Sequence, residues 1–318
     1  MSTAFIFPGQ GSQQVGMGKA LADAFPVARA VFDEVDAALS QKLTALMWDG
    51  PADDLTLTAN AQPALMAVSL AAMRVLEAEA GLNLATDAAF VAGHSLGEYS
   101  ALAAAGALSI TDAARLLRIR GTAMQQAVPV GEGAMAALLG LDFEAAAAVA
   151  AEAAQGEVCE AANDNADGQV VVSGARGAVE RALIIAKEKG AMKALLLPVS
   201  APFHCRMMQP AAEAMAEALA KATVNAPVVP VVSNVKAAPV TDPAEIVRLL
   251  VAQVTGTVRW RESVLFMASA GVDRTVEVGA GKVLSGLSRR ITKQISASAV
   301  CTPEDVAAFI AARSAPAA

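Results

Sequence analysis

Three observations predict an α/β fold with a parallel-sheet core and a smaller inserted domain. Short apolar runs alternate with longer helical stretches at both ends of the chain, as in a doubly wound sheet. The middle section instead reads in the order βαββαβ, the ferredoxin-like pattern. Composition is the third: of 318 residues, 55% are hydrophobic and only 4% aromatic, so Ala, Val and Leu supply the core. That suits a helix-rich α/β chain and argues against intrinsic disorder.

Taken in order, "TAFIF" (3–7) is a strand stopped by Pro8 and Gly9. Helices are expected over 15–24, 26–38 and 60–80, the last with Pro63 in its first turn, where proline is tolerated. "AAFVAG" (88–93) is a buried strand running into Ser95, and "GEYSALAAAGAL" continues as helix. Residues 111–128 form another helix, with Thr111 as the expected N-cap. Strands at 133–141, 157–163, 168–174 and 191–199, with helices after the first and third, make up the βαββαβ unit. The return leg has helices at 209–221 and 243–254, strands at 230–234 and 275–279, and C-terminal helices. This order assigns residues 1–129 and 200–318 to a large α/β domain and 130–199 to a small inserted one.

Charge and cysteine content exclude several function classes. Twenty-four Lys plus Arg against 31 Asp plus Glu give a net charge of -7, which disfavours bulk nucleic-acid binding. Three scattered cysteines, Cys159, Cys205 and Cys301, without a CxxC, predict reduced thiols and no metal site. The start "MSTAFIFPGQGSQ" lacks a basic n-region, and no apolar run reaches the ~20 residues of a membrane span, so a cytoplasmic protein is expected.

The chemistry centres on Gly93-His94-Ser95-Leu96-Gly97, a G-x-S-x-G motif with a strand before it and a helix after it. In that context Ser95 is a candidate nucleophile, and the Leu96 N–H at the helix start a candidate oxyanion donor. A glycine-flanked turn with an incidental serine is the alternative. Serine needs a base, and the chain has two histidines. His94 adjoins the nucleophile and points elsewhere, which leaves His204, in the Pro-bearing loop "VSAPFHCRMM". No Asp or Glu declares itself as a third member, and a carbonyl or amide can orient the ring instead. The loop "FPGQGSQQVGMGKA" fails both nucleotide-binding patterns: Gln14 replaces the third glycine of G-x-G-x-x-G, while Gln13 and Ala20 break a Walker A motif. It reads either as a plain turn or as a loop that lends the Gln10 N–H to an oxyanion hole. Arg120, near the end of its helix, either complements the helix dipole or clamps an acyl carboxylate.

Seven segments occurring in one order carry a resemblance over nearly the whole chain: "FPGQGSQ", "GHSLGEYSAL", "RG.AMQ.AVP.G.GAMAALLG", "N..GQVVVSG", "LPVSAPFHCRMM", "VRW" and "VGAGKVLSGL". The chain resembles the malonyl-CoA:acyl carrier protein transacylases, acyltransferases of type II fatty acid synthesis. The resemblance implies a hydrolase-like parallel-sheet core with a ferredoxin-like insert. It implies transfer of malonyl from malonyl-CoA to the phosphopantetheine thiol of acyl carrier protein, with no cofactor. By position it makes Ser95 the acylated nucleophile, His204 its base and Arg120 the partner of the malonyl carboxylate. Gln10 and Leu96 become the backbone oxyanion donors, and the main-chain carbonyl of Gln253 supports the histidine. Phe203 resembles the "AFH" of malonyl-selective domains. Two loop departures stand out: Ala280 replaces the usual proline of "GPGKVL", and "TGTVRW" replaces "NPVRW".

A carrier partner is expected to dock on a local basic rim drawn from Lys187, Lys189, Lys193, Arg206, Lys282, Arg289 and Arg290, each otherwise a solvated surface residue. The protein is expected to act as a monomer. The alternatives are a transferase serving polyketide or polyunsaturated fatty acid synthesis, a serine thioesterase, and a non-catalytic docking subunit.

Overall fold

The computed structural model describes residues 2–314. Two sheets organise the chain. The large one has the order β10-β9-β1-β2-β7-β8. Its strands are β1 (Thr3–Phe7), β2 (Phe90–Gly93), β7 (Val231–Val232), β8 (Pro239–Val240), β9 (Arg274–Val278) and β10 (Ser296–Val300). β1 pairs in parallel with β2 and β9, β10 with β9, and β7 with β2; only β8 runs antiparallel. The small sheet is antiparallel, in the order β4-β5-β3-β6, from β3 (Gly133–Leu139), β4 (Cys159–Ala166), β5 (Gln169–Ala175) and β6 (Lys193–Leu196). The fold is therefore the expected one: a parallel core and a ferredoxin-like βαββαβ unit.

Side chains alternate across a strand, and β1 uses both faces. Phe5 and Phe7 point into a core shared with the helix Thr58–Ala80, which is buried along most of its length. Ala4 and Ile6 pack on the other side against Trp260, Val264, Leu284 and Leu287. Burying each large apolar side chain contributes roughly 1.5–3 kcal/mol, so both sheet faces are closed by helices. The small sheet divides its faces differently. Ala134, Ala136 and Leu138 face its own two helices, whereas Met135 and Val171 join the large core. That second face overlies the carboxyl ends of β1 and β2.

Several local expectations are corrected. Residues 296–300 form β10 where helix was expected; this edge strand is only partly buried, so "SASAV" carries no apolar alternation. The N-cap of the helix Ile110–Gln126 is Ser109, which accepts from the Asp112 N–H at 2.9 Å. Thr111 instead donates to Glu34 at 2.9 Å. The helix expected over 15–24 begins only at Lys19, because Gly16 and Gly18 take φ values of 93° and 77°. The strand expected at 230–234 shortens to Val231–Val232, after which Ser233 and Asn234 leave the ladder.

Gly121 sets a close helix crossing beside Arg120. A Cβ there would lie 2.6 Å from both Ala59 Cα and Thr58 O, all backbone atoms that cannot swing away. Overpacking of this kind costs roughly 1–3 kcal/mol, more than the ~1 kcal/mol that alanine gains over glycine in a helix. Gly121→Ala is therefore expected to lower Tm by several degrees in a thermal melt. An unchanged or raised Tm would contradict the crossing.

Candidate active site

β1 and β2 are parallel neighbours with Phe7 opposite Gly93, so the loops after them emerge together. The turn after β2 is tight enough to demand both of its glycines. A Cβ on Gly93 would sit 1.9 Å from the Gly97 carbonyl, and one on Gly97 would sit 2.3 Å from Phe7 O. Ser95 between them is held at φ 52°, a strained value for a side-chain-bearing residue. The strain lifts its hydroxyl to the start of the helix Gly97–Ala104. Asn234, just past β7, accepts from the Ser95 N–H at 2.7 Å and donates to Gly93 O at 2.6 Å, pinning both sides of the turn.

His204 meets the serine from the loop that leaves the small sheet. Its Nε2 lies 2.7 Å from Ser95 Oγ and its Nδ1 lies 2.9 Å from the Gln253 carbonyl oxygen. A carbonyl only accepts, so Nδ1 carries the hydrogen and Nε2 is free to take a proton from the serine. The ring is 4% exposed and its backbone also adopts a positive φ, 60°. Burial, reinforced by the Arg120 charge, pushes its pKa down to about 3, so it stays neutral at ordinary pH.

Arg120 is 1% exposed. Its Nη1 donates to Gln62 Oε1 at 2.8 Å, and its Nη2 donates to Gln253 Oε1 at 2.8 Å and to Ser95 Oγ at 3.1 Å. Its Nε has no hydrogen-bond partner among the described residues. The sequence left Arg120 between a helix-end role and a clamp; the structure places it beside the serine.

Gln10 and Leu96 both line the cavity in front of Ser95. Gln10 lies in the turn after β1, its side chain accepting from Thr58 Oγ1 at 2.8 Å. Among the described residues no protein acceptor takes the main-chain N–H of Gln10 or Leu96. The cavity measures about 430 Å³ and runs between the two sheets. Gln10, Ser95, Arg120 and Met124 wall it from the core side, and Met135, Val171 and Leu197 from the small sheet. Phe203, 7% exposed, closes it beside His204. His94 points away from the serine, as expected; its Nε2 lies 2.8 Å from Asn165 Oδ1.

Sequence reasoning missed four members of this cluster. Asn234 and Gln62 are neutral amides without a motif of their own. Asn165 lies within β4 at the register shift between Asp164 and Ala166, where the pairing is irregular. Glu98 left a signal, being the one charge in "GEYSALAA", a helix with nearly every residue buried. Burial raises its pKa to about 7, against hydrogen bonds from Gln253 and Asn234 and the Arg120 charge, which lower it. All seven basic-rim candidates are exposed, and Lys189, Arg206 and Lys282 are paired with Glu152, Glu160 and Asp305. Among the described residues no cluster of three His, Cys, Asp or Glu could hold a metal, and no helix is long and apolar enough to cross a membrane.

The buried histidine carries a stability signature. The folded imidazole stays neutral down to about 3 while the unfolded one protonates near 6.5, so within that window the unfolded chain binds more protons. Stability from this group is thus complete above pH 6.5 and falls as pH drops. Glu98 acts in the opposite sense, its contribution fading as pH rises from 4.5 to about 7. Relative to wild type, His204→Gln is expected to gain roughly 2 kcal/mol of unfolding free energy between about pH 6.5 and pH 5, measured by urea titration. A pH-independent difference would contradict a neutral His204.

Comparison with known proteins agrees with this geometry. Residues 4–306 match the acyl transferase domain. The malonyl CoA-acyl carrier protein transacylase of Escherichia coli K12 is 48% identical over 307 residues, covering 96% of this chain and 98% of that protein. The crystal structure of an acyl-carrier-protein S-malonyltransferase from Bartonella henselae superposes with a TM-score of 0.96 at 56% identity, covering 99% of this chain and 100% of that one. A malonyl-transacylase solved in complex with a type II PKS acyl-carrier protein gives a TM-score of 0.94 at 42% identity, covering 98% and 100%. The serine–histidine pair with its buried guanidinium thus sits in a chain that belongs to the acyl transferase domain family, among the malonyl CoA-acyl carrier protein transacylases.

Proposed function

We propose that this chain transfers malonyl from malonyl-CoA to the phosphopantetheine thiol of an acyl carrier protein, through a malonyl ester on Ser95, for fatty acid synthesis. The observation that carries the reading is the fully buried Arg120, whose side-chain partners are two neutral amides and the nucleophile itself. A buried cation with only neutral direct partners favours an anion delivered to it. An acyl group bearing its own carboxylate, set close to the thioester carbon, meets that need; acetyl does not.

In the first half-reaction the Ser95 hydroxyl gives its proton to His204 Nε2 as Oγ attacks the thioester carbonyl. The oxyanion is met by the Gln10 and Leu96 N–H groups, where one such donor is typically worth about 3 kcal/mol. Collapse expels the coenzyme A sulfur, which takes the proton back from His204. In the second half the carrier thiol gives its proton to His204 and attacks the malonyl ester. Ser95 leaves and is reprotonated. Protein groups and two thiols suffice, with no cofactor. Phe203 and Met124 bound the space beside the acyl carbon and favour the small malonyl group.

The exposed lysines and arginines named above supply the docking surface for an acidic carrier, and the enzyme acts as a monomer. The neighbour solved with a polyketide carrier supports a second reading, in which the carrier served here belongs to polyketide synthesis.

Arg120→Ala provides the test. Malonyl transfer is expected to fall by on the order of 10²–10³ more than acetyl transfer, because a site built around a polar partner rejects the analogue lacking it. Steady-state assays with both coenzyme A esters measure this. Equal losses for malonyl and acetyl would contradict the carboxylate role.

A further inference from the structure

Glu98 is 3% exposed and lies in the first turn of the helix that follows the nucleophile. One of its oxygens, Oε2, accepts from two donors: Gln253 Nε2 at 2.7 Å and the Asn234 N–H at 3.1 Å. Each of those residues in turn touches the reacting groups. Gln253 Oε1 accepts from Arg120, and its Nε2 also donates to Ser95 O at 3.0 Å. Asn234 Oδ1 accepts from the Ser95 N–H.

We infer that Glu98 is a positioning residue for the carboxylate clamp, holding the Gln253 side chain so that its amide oxygen fixes Arg120 against Ser95. This deepens the malonyl-transfer reading and rests on it. A guanidinium only donates, so Gln253 must turn its amide oxygen to Arg120, which leaves its Nε2 to donate to the Glu98 carboxyl oxygen. Glu98 and Arg120 are thus joined through one neutral relay in a low-dielectric interior, where such hydrogen-bond chains are strengthened. The Gln253 main chain belongs to the helix Pro243–Thr255, so the carbonyl supporting His204 is fixed independently of Glu98. Loss of Glu98 therefore loosens the part of the site that reads the carboxylate more than the part that performs acyl transfer.

The test compares kcat/KM for malonyl-CoA and acetyl-CoA. Glu98→Met, of similar length but without an acceptor, is expected to lose ~10- to 100-fold with malonyl and much less with acetyl, the scale of a slightly misplaced catalytic partner. Glu98→Gln, whose amide oxygen can take the place of Oε2, is expected to recover most of that loss. Gln253→Met retains the main-chain carbonyl and is expected to show the same malonyl-selective loss, so the test stands even if Glu98→Met does not fold. A folded Glu98→Met with equal losses, or with none, overturns the inference, as does a Gln253→Met that spares malonyl. A wild-type protein without preference for malonyl would overturn the function reading as well, which separates the two failures.

Discussion

A guanidinium buried 3.1 Å from the nucleophilic hydroxyl is the constraint on which the rest of the site depends. Burying a charge is costly unless hydrogen bonds and nearby charge compensate. Here the compensation comes from four separate elements. Gln62 comes from the helix that backs the sheet, Gln253 from the helix Pro243–Thr255, Ser95 from the turn after β2, and Glu98 lies behind them all. Holding Arg120 therefore requires the core to be assembled around it. The Gly121 crossing, which brings Thr58 and Ala59 within van der Waals reach of the arginine's own helix, follows from that requirement.

The second half of the design is backbone strain. Ser95 and His204 both occupy left-handed conformations, and their side chains meet at 2.7 Å. Such positions persist only where the surroundings over-determine them. Around Ser95 the determinants are two glycines with no room for a Cβ and the paired hydrogen bonds of Asn234. Gln253 links the two halves: its main-chain carbonyl accepts from His204, and its side-chain oxygen accepts from Arg120. In the proposed reaction, one residue thereby couples proton transfer to recognition of the acyl group.

Much of this was readable in the sequence, for physical reasons. G-x-S-x-G between an apolar strand and a helix is a largely local signal, because Gly93 is required by contacts with Gly97 and Glu98, although Gly97 is required by the distant backbone of Phe7. With only two histidines, one of them adjacent to the serine, His204 followed by elimination. Arg120 remained ambiguous because its burial depends on Gln62 and Gln253, 58 and 133 residues away. Asn234 was invisible as a site residue for the same reason, and Glu98, though marked as the one charge in a buried helix, had partners that only long-range hydrogen bonds reveal. At the fold level, β10 escaped detection because a half-exposed edge strand needs no apolar alternation, and Thr111 was preferred to Ser109 because either residue type can cap a helix.

In the proposed transfer, Ser95 relays an acyl group between two thiols and withholds it from water. The most direct measurement is intact-mass spectrometry with peptide mapping after mixing the protein with malonyl-CoA alone, followed by addition of a phosphopantetheinylated acyl carrier protein. The account predicts one malonyl group per chain, located on Ser95, persisting in buffer and discharged to the carrier thiol. Absence of the adduct, its appearance on another residue, or its rapid loss to water before carrier is added would contradict the account.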